Sequence, residues 1–99
     1  MPQLAEDEER RLGILAAAGD DVAAKQLIEA NQRLVVTIAR RHRALDPSLM
    51  NIIQEGNLGL VEALRRFDPS KGQPFSKFAA WFIREAIRMA YQPPPDLEG

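Results

Sequence analysis

Apolar residues recur three and four positions apart along most of the chain, which is the spacing that one face of an α-helix requires. No segment alternates β-branched and polar residues between turn signals, as a half-buried strand would. The sequence therefore predicts an all-α protein, a single domain built as a small bundle of about four helices.

Capping residues and helix stops divide the first half of this pattern. A short helix is predicted from about Glu6 to Ala17, with Gly19 as its stop. Asp20 or Asp21 then caps a second helix, which is predicted to run without interruption from Val22 to about Arg43.

The second half carries two more helices. Asp46 followed by Pro47 has the pattern of a cap and a first-turn proline, and it predicts a third helix that runs to Phe67. Ser76 is the predicted cap of the last helix, and three prolines at 93–95 end it before a frayed tail, DLEG.

On a helical wheel, the last helix has one apolar arc of about 100°. Its members are Phe75, Ala79, Phe82, Ile83, Ala86 and Ala90. Trp81 lies outside that arc among charged residues, with Phe78 at the edge. Two interpretations stay open. Either Trp81 packs under a neighbouring loop or a long side chain, or it is a platform on which nucleobases stack while Lys77 and Arg88 contact phosphates.

The third helix has glycines in an unusual place. Its predicted core stripe contains Leu49, Ile53, Leu60, Leu64 and Phe67. Gly56 falls within the stripe and Gly59 follows, which predicts a close approach by another helix. The opposite face is mixed, with Asn51, Gln54, Glu55, Leu58, Val61 and Glu62. It fits either an ordinary solvated surface or a docking site for a partner's helix.

Composition excludes several classes of protein. Among 99 residues there is no cysteine and one histidine, His42, so a thiolate metal site is excluded and no metal or cofactor is expected. The hydroxyl, histidine and carboxylate residues form no catalytic motif, so we expect no enzyme. No apolar run reaches the roughly 20 residues of a membrane span, and the start of the chain is acidic. We therefore expect a soluble cytoplasmic protein.

Charge is unevenly distributed along the chain. Residues 1–30 hold three Lys/Arg against seven Asp/Glu, whereas residues 31–92 hold ten against five. A locally basic surface favours an anionic partner, although a run of charges is also compatible with a solvated face.

Three segments together resemble a known family: NQRLVVTIARRHR, NIIQEGNLGLVEALRRFDPSKG and PFSKFAAWFIREAI. In residue type and spacing they are similar to the second conserved region of bacterial RNA polymerase sigma factors of the sigma-seventy type. The resemblance covers about residues 20–92. Residues 1–19 form an acidic lead-in helix that is only loosely similar, and residues 93–99 form a proline-rich tail or linker.

The resemblance implies that the third helix docks on a coiled coil in the largest subunit of RNA polymerase core. The expected docking residues, with Leu58 added from the mixed face, are Asn51, Gln54, Glu55, Asn57, Leu58 and Val61. The family commonly has Asp at the position of Asn51 and often Met at that of Val61.

The resemblance also implies that the last helix captures a flipped adenine from the single-stranded minus-ten element of a promoter. The expected DNA-binding residues are Phe75, Lys77, Phe78, Trp81, Phe82, Glu85, Arg88, Asn31 and Arg33. For Asn31, a buried, hydrogen-bonded structural role is the alternative.

Five of these DNA-binding positions depart from the family pattern, and at one of them Lys77 replaces a common Thr. Phe78 replaces a usual Tyr and Phe82 a second Trp, so the rings remain but polar groups are lost. Glu85 and Arg88 replace a common Gln and Thr. Because glutamate accepts from cytosine whereas glutamine pairs with adenine, the upstream base preference is predicted to differ.

The function expected from this resemblance is that of a transcription initiation factor domain, which docks on RNA polymerase core and captures the melted non-template strand. The alternative is a stand-alone docking module that competes with or regulates other sigma factors without recognising promoters. Because nothing in the sequence resembles the helix-turn-helix domain of full sigma factors, we expect the chain to be either part of a longer factor or a truncated, stand-alone homologue. An anti-sigma protein is a further possible partner.

Overall fold

The computed structural model describes residues 5–92, and within that range all regular structure is helical. The five α-helices are α1 (Glu6–Ala17), α2 (Asp21–Ala30), α3 (Gln32–Arg41), α4 (Leu49–Arg66) and α5 (Phe75–Ala90). Short 3-10 turns, Arg43–Leu45 and Pro69–Lys71, precede α4 and α5. This confirms the predicted all-α bundle. No described helix is long and apolar enough to cross a membrane.

The prediction of one continuous second helix is wrong, because the chain breaks at Asn31 into α2 and α3. The carbonyl oxygen of Leu27 accepts two hydrogen bonds from Asn31, one from its backbone N at 3.2 Å and one from its side-chain Nδ2 at 2.8 Å. An asparagine side chain competes in this way for a backbone acceptor and disturbs the regular helix. The result is five helices where about four were predicted.

Two predicted caps are also wrong. The cap of α4 is Ser48, whose side chain accepts a hydrogen bond from the backbone N of Asn51, so Asp46 and Pro47 lie before the helix. Helix α5 begins at Phe75 after Pro74, and Ser76 is inside it. The predicted helix stop and tail at 93–99 lie outside the described residues.

The first turn of α5 is bound by a side chain of α1. The backbone N of Ser76 donates to Glu9 Oε1 at 2.5 Å, which satisfies one of the N–H groups that a helix start leaves free. Leu12, one turn later in α1, is buried in the common core. Helix α1 therefore packs onto the bundle and caps α5.

This cap makes a stability prediction. We expect Glu9→Ala to lower the free energy of unfolding by about 1 kcal/mol, the usual cost of losing a helix cap. Glu8→Ala is the matched control, because Glu8 lies next to Glu9 in α1 and, among residues 5–92, pairs only with Arg11 on the exposed surface. Urea unfolding of both variants measures the difference, and equal losses would contradict the capping role.

The core draws residues from all five helices, and its composition corrects the helical wheels. Ile52 of α4 and Ile87 of α5 are fully buried, although neither was assigned to the core stripe. Ala90 is exposed. Four members of the predicted α4 stripe are only partly buried: Leu49, Ile53, Leu64 and Phe67. The buried face of each helix is thus rotated slightly from the predicted one.

Helices α4 and α5 approach each other closely at Gly59. A Cβ atom placed there would lie 2.3 Å from the carbonyl oxygen of Phe82, which is far inside contact distance. At Gly56 a Cβ would meet the Val35 side chain at 3.0 Å. The predicted packing role of both glycines is confirmed, and the α5 backbone at Phe82 lies directly against α4.

Candidate nucleic-acid and polymerase interface

A series of five aromatic rings leads from the core to the surface. Each ring contacts the next, in the order Phe75, Phe67, Phe78, Phe82 and Trp81, with centroid separations of 5.2, 5.6, 5.0 and 5.1 Å. Phe75 is buried, whereas Trp81 is 54% exposed. Such edge and tilted contacts stabilise aromatic pairs. The core therefore supports an aromatic surface that ends at Trp81.

Trp81 separates two surface grooves. The groove on one side, here called the Lys77 groove, is lined by Gln73, Lys77, Phe78, Trp81 and Phe82. The groove on the other side lies between α4 and α5 and includes Leu58 and Met89. The Lys77 groove combines aromatic faces, a side-chain amide and a cation. Those groups suit a nucleobase and its phosphate.

The other cations of α5 differ in their availability. Arg84 is exposed and, like Lys77, makes no ion pair with any residue in 5–92. Arg88 is held by Glu85 through two hydrogen bonds, Nη2 to Oε1 at 2.7 Å and Nε to Oε2 at 3.2 Å. Its Nη1 donates to Gln92 at 2.6 Å. Hydrogen bonding from Arg88 lowers the pKa of Glu85, which keeps that carboxylate ionised.

Two predicted DNA-binding residues lie away from the exposed surface. Asn31 is only 6% exposed, and its side-chain amide donates a hydrogen bond to the Leu27 carbonyl. This agrees with the alternative prediction for Asn31, a buried and hydrogen-bonded structural role. Phe75 is a core residue that supports the aromatic series. Arg33, two residues after Asn31, is exposed on α3.

The predicted docking residues on α4 divide into two groups. Asn51, Gln54, Leu58 and Val61 are exposed, and Leu58 reaches 63%. Glu55 and Asn57 are partly buried. Asn57 Oδ1 accepts a hydrogen bond from Gln32 Nε2 at 2.8 Å, which joins α4 to the start of α3. The exposed group forms a surface in which two apolar side chains lie beside two amides.

Comparison with known proteins identifies the family. The model of "Sigma-70 region 2" matches residues 27–92. The chain belongs to the sigma-70 region 2 family. It is similar to "RNA polymerase sigma factor SigA" of Bacillus sp, with 44% identity over 90 residues. That match covers 91% of this chain and 24% of the relative, so the chain spans about a quarter of the length of that relative.

Sequence reasoning missed part of the surface of this region 2 domain. A cavity between the end of α4 and the start of α5 is lined by Arg66, Phe67, Asp68, Lys71, Gln73 and Phe78. In the sequence, the segment DPSKG (68–72) belongs to a family-like segment, and none of its residues is among the predicted site residues. Arg66 and Lys71, two basic residues that line this cavity together with Phe78, were the available signal. Within residues 5–92, no three His, Asp or Glu side chains form a metal-binding group.

Proposed function

We propose that this sigma-70 region 2 domain docks on RNA polymerase core through α4 and captures the melted non-template strand of the minus-ten element through α5. The observation that carries the proposal is the exposed Trp81, which ends a supported aromatic series and borders Lys77. Membership of the family and similarity to an RNA polymerase sigma factor support the choice of partners.

Strand capture needs stacking surfaces and phosphate contacts. A flipped base stacks on the exposed face of Trp81, with Phe78 and Phe82 completing the apolar wall and Lys77 contacting a phosphate. Opening DNA costs about 1.4 kcal/mol per base-pair step on average, and each stacked base returns roughly 1–3 kcal/mol. The domain therefore stabilises one or two opened steps, and the polymerase supplies the remaining contacts.

The Glu85–Arg88 pair is proposed to read the upstream edge of the element. Arg88 has both its carboxylate-facing nitrogens engaged by Glu85, so it fixes the orientation of that carboxylate. An ionised glutamate accepts hydrogen bonds and therefore favours the amino group of cytosine over bases that present acceptors. This preference distinguishes the domain from relatives that carry glutamine at the same position.

Docking is proposed to bury the exposed apolar residues of α4 against a polymerase helix. Val61→Glu is expected to weaken core binding about tenfold or more, because it puts a charge into an interface that loses water. Val22→Glu is the matched control, since Val22 is 66% exposed on α2, outside the docking surface. Binding of labelled domain to purified core measures both variants. Equal affinities would contradict docking through α4.

Fluorescence anisotropy of a labelled minus-ten single strand tests the function as a whole. The strand is titrated with the domain alone and with its core complex, using the adenine oligonucleotide and one with that adenine replaced. Two salt concentrations separate phosphate contacts from base contacts. We expect adenine-dependent binding that requires core. Core binding without base discrimination would instead indicate a docking module that competes with other sigma factors.

A further inference from the structure

The carboxylate of Asp46 joins the start of α4 to the end of α5. Its Oδ2 accepts a hydrogen bond from the Tyr91 hydroxyl at 2.9 Å and a longer one from the Asn51 side-chain amide at 3.3 Å. Its Oδ1 accepts from the backbone N of Ser48 at 2.8 Å. Asp46 and Tyr91 are 45 positions apart in the chain, so their bond is a tertiary contact.

Ionisation favours this arrangement at neutral pH. Hydrogen bonds from the Ser48 backbone and from Tyr91 lower the pKa of Asp46, so the carboxylate stays charged and accepts. Partial burial, followed by the bond to Asp46, raises the pKa of Tyr91 and keeps its hydroxyl protonated as a donor. The Tyr91 ring also packs against the hydrophobic core. The hydrogen bond therefore joins a charged acceptor, the Asp46 carboxylate, to a donor whose ring is fixed by packing, the Tyr91 hydroxyl.

The two ends that Asp46 joins carry different parts of the proposed function. Asn51 belongs to the α4 surface proposed to dock on polymerase. Tyr91 directly follows α5, one turn after Arg88, and Gln92 next to it accepts from that arginine. Asp46 is thus bonded to the polymerase-facing helix and to the DNA-facing helix at once.

Helix α5 is held at three points along its length. Glu9 binds the backbone at Ser76 in the first turn, and Gly59 lets α4 lie against the backbone at Phe82 in the middle. Asp46 holds Tyr91 at the end. Removing the last contact leaves α5 packed at its middle and at Ile87, and takes a polar contact away from the turn that follows Arg88.

We propose that Asp46 is a positioning residue, which sets the last turn of α5 for the captured strand and couples that turn to polymerase docking through Asn51. The inference rests on the proposed function. Asn51 and Tyr91 share one oxygen, so a polymerase group that takes the Asn51 amide leaves Tyr91 as the side-chain donor to that oxygen. Docking then strengthens the hold on α5, and core binding raises strand affinity.

Tyr91→Phe is the main test, because it removes only the hydroxyl. In the core complex, we expect the minus-ten oligonucleotide to bind about fivefold more weakly, while core affinity stays within about twofold of wild type. Asp46→Ala should give a similar loss, and the double variant should lose little more than either single one. Asp46→Asn keeps an acceptor oxygen and should restore part of the affinity.

Asp20→Asn is the control, because Asp20 caps α2 through a local bond to the backbone N of Ala23 and touches neither helix end. Its oligonucleotide affinity should equal that of wild type. If Tyr91→Phe lowers stability in urea but leaves the strand affinity of the folded complex unchanged, Asp46 is only structural and the proposal is overturned. A wild-type complex that docks but binds no strand overturns the proposed function, and this inference with it.

Discussion

Replacing Trp81 with alanine is expected to weaken binding of the minus-ten strand to the core complex about 5- to 150-fold, which corresponds to the loss of roughly 1–3 kcal/mol of base stacking. The free energy of unfolding should change little, because Trp81 is more than half exposed and lies outside the core. The affinity of the domain for RNA polymerase core should also be unchanged. Anisotropy with the adenine oligonucleotide and urea unfolding measure these quantities separately.

Two further variants of Trp81 show whether the aromatic ring itself provides the affinity for the strand. Trp81→Phe keeps a smaller ring and should retain part of the affinity, whereas Trp81→Leu keeps apolar area without a ring and should not. Met89→Ala is the matched control, since Met89 is a large apolar residue of α5 that is 65% exposed and borders the other groove. Equal losses for Trp81→Ala and Met89→Ala would contradict stacking on Trp81.

Gly59→Ala is expected to lower the free energy of unfolding by about 2–3 kcal/mol, the upper part of the usual range for overpacking. The new methyl group would lie 2.3 Å from the carbonyl oxygen of Phe82 and 2.9 Å from the Ala86 side chain. Because the obstacle is backbone, relief requires α4 and α5 to separate. Separation would also move Phe82 and Trp81, so strand binding should weaken as well.

Gly56→Ala is the matched comparison in the same helix. Its methyl group would meet side-chain atoms of Val35, Ile83 and Ile87 at 3.0 to 3.4 Å, and these can shift. The gain in helix propensity, about 0.8–1.0 kcal/mol, then offsets much of the strain. Gly59→Ala should therefore be clearly the less stable variant in urea unfolding. Equal stabilities would show that α4 and α5 have room at Gly59.

The helical pattern was predictable because it depends on local spacing. The bounds of α1 agree with the prediction, because the stop signal, Gly19, lies next to the helix end in the sequence. The break at Asn31 was not predictable from spacing, because it depends on one side chain competing for the Leu27 carbonyl. The cap of α5 was also out of reach, since Glu9 and Ser76 are 67 positions apart.

The candidate site likewise has features that depend on local spacing, which could be predicted, and features that depend on tertiary packing, which could not. The position of Trp81 outside the apolar arc could be predicted from a helical wheel, and the structure decides between the two open interpretations by leaving its side chain 54% exposed. The pairing of Glu85 with Arg88 was accessible in principle, since residues three apart face each other on a helix. The bond between Asp46 and Tyr91 was not, because it requires the packed arrangement of α4 and α5.

The central claim is that the face of Trp81 receives a base, and a cycle of four affinities tests it most directly. Wild type and Trp81→Ala, each bound to core, are titrated with the minus-ten strand carrying either the adenine or an abasic site at that position. We predict that removing the base costs about 10-fold or more in wild type and little in Trp81→Ala. An equal cost in both proteins would show that the base is bound elsewhere and would contradict the account.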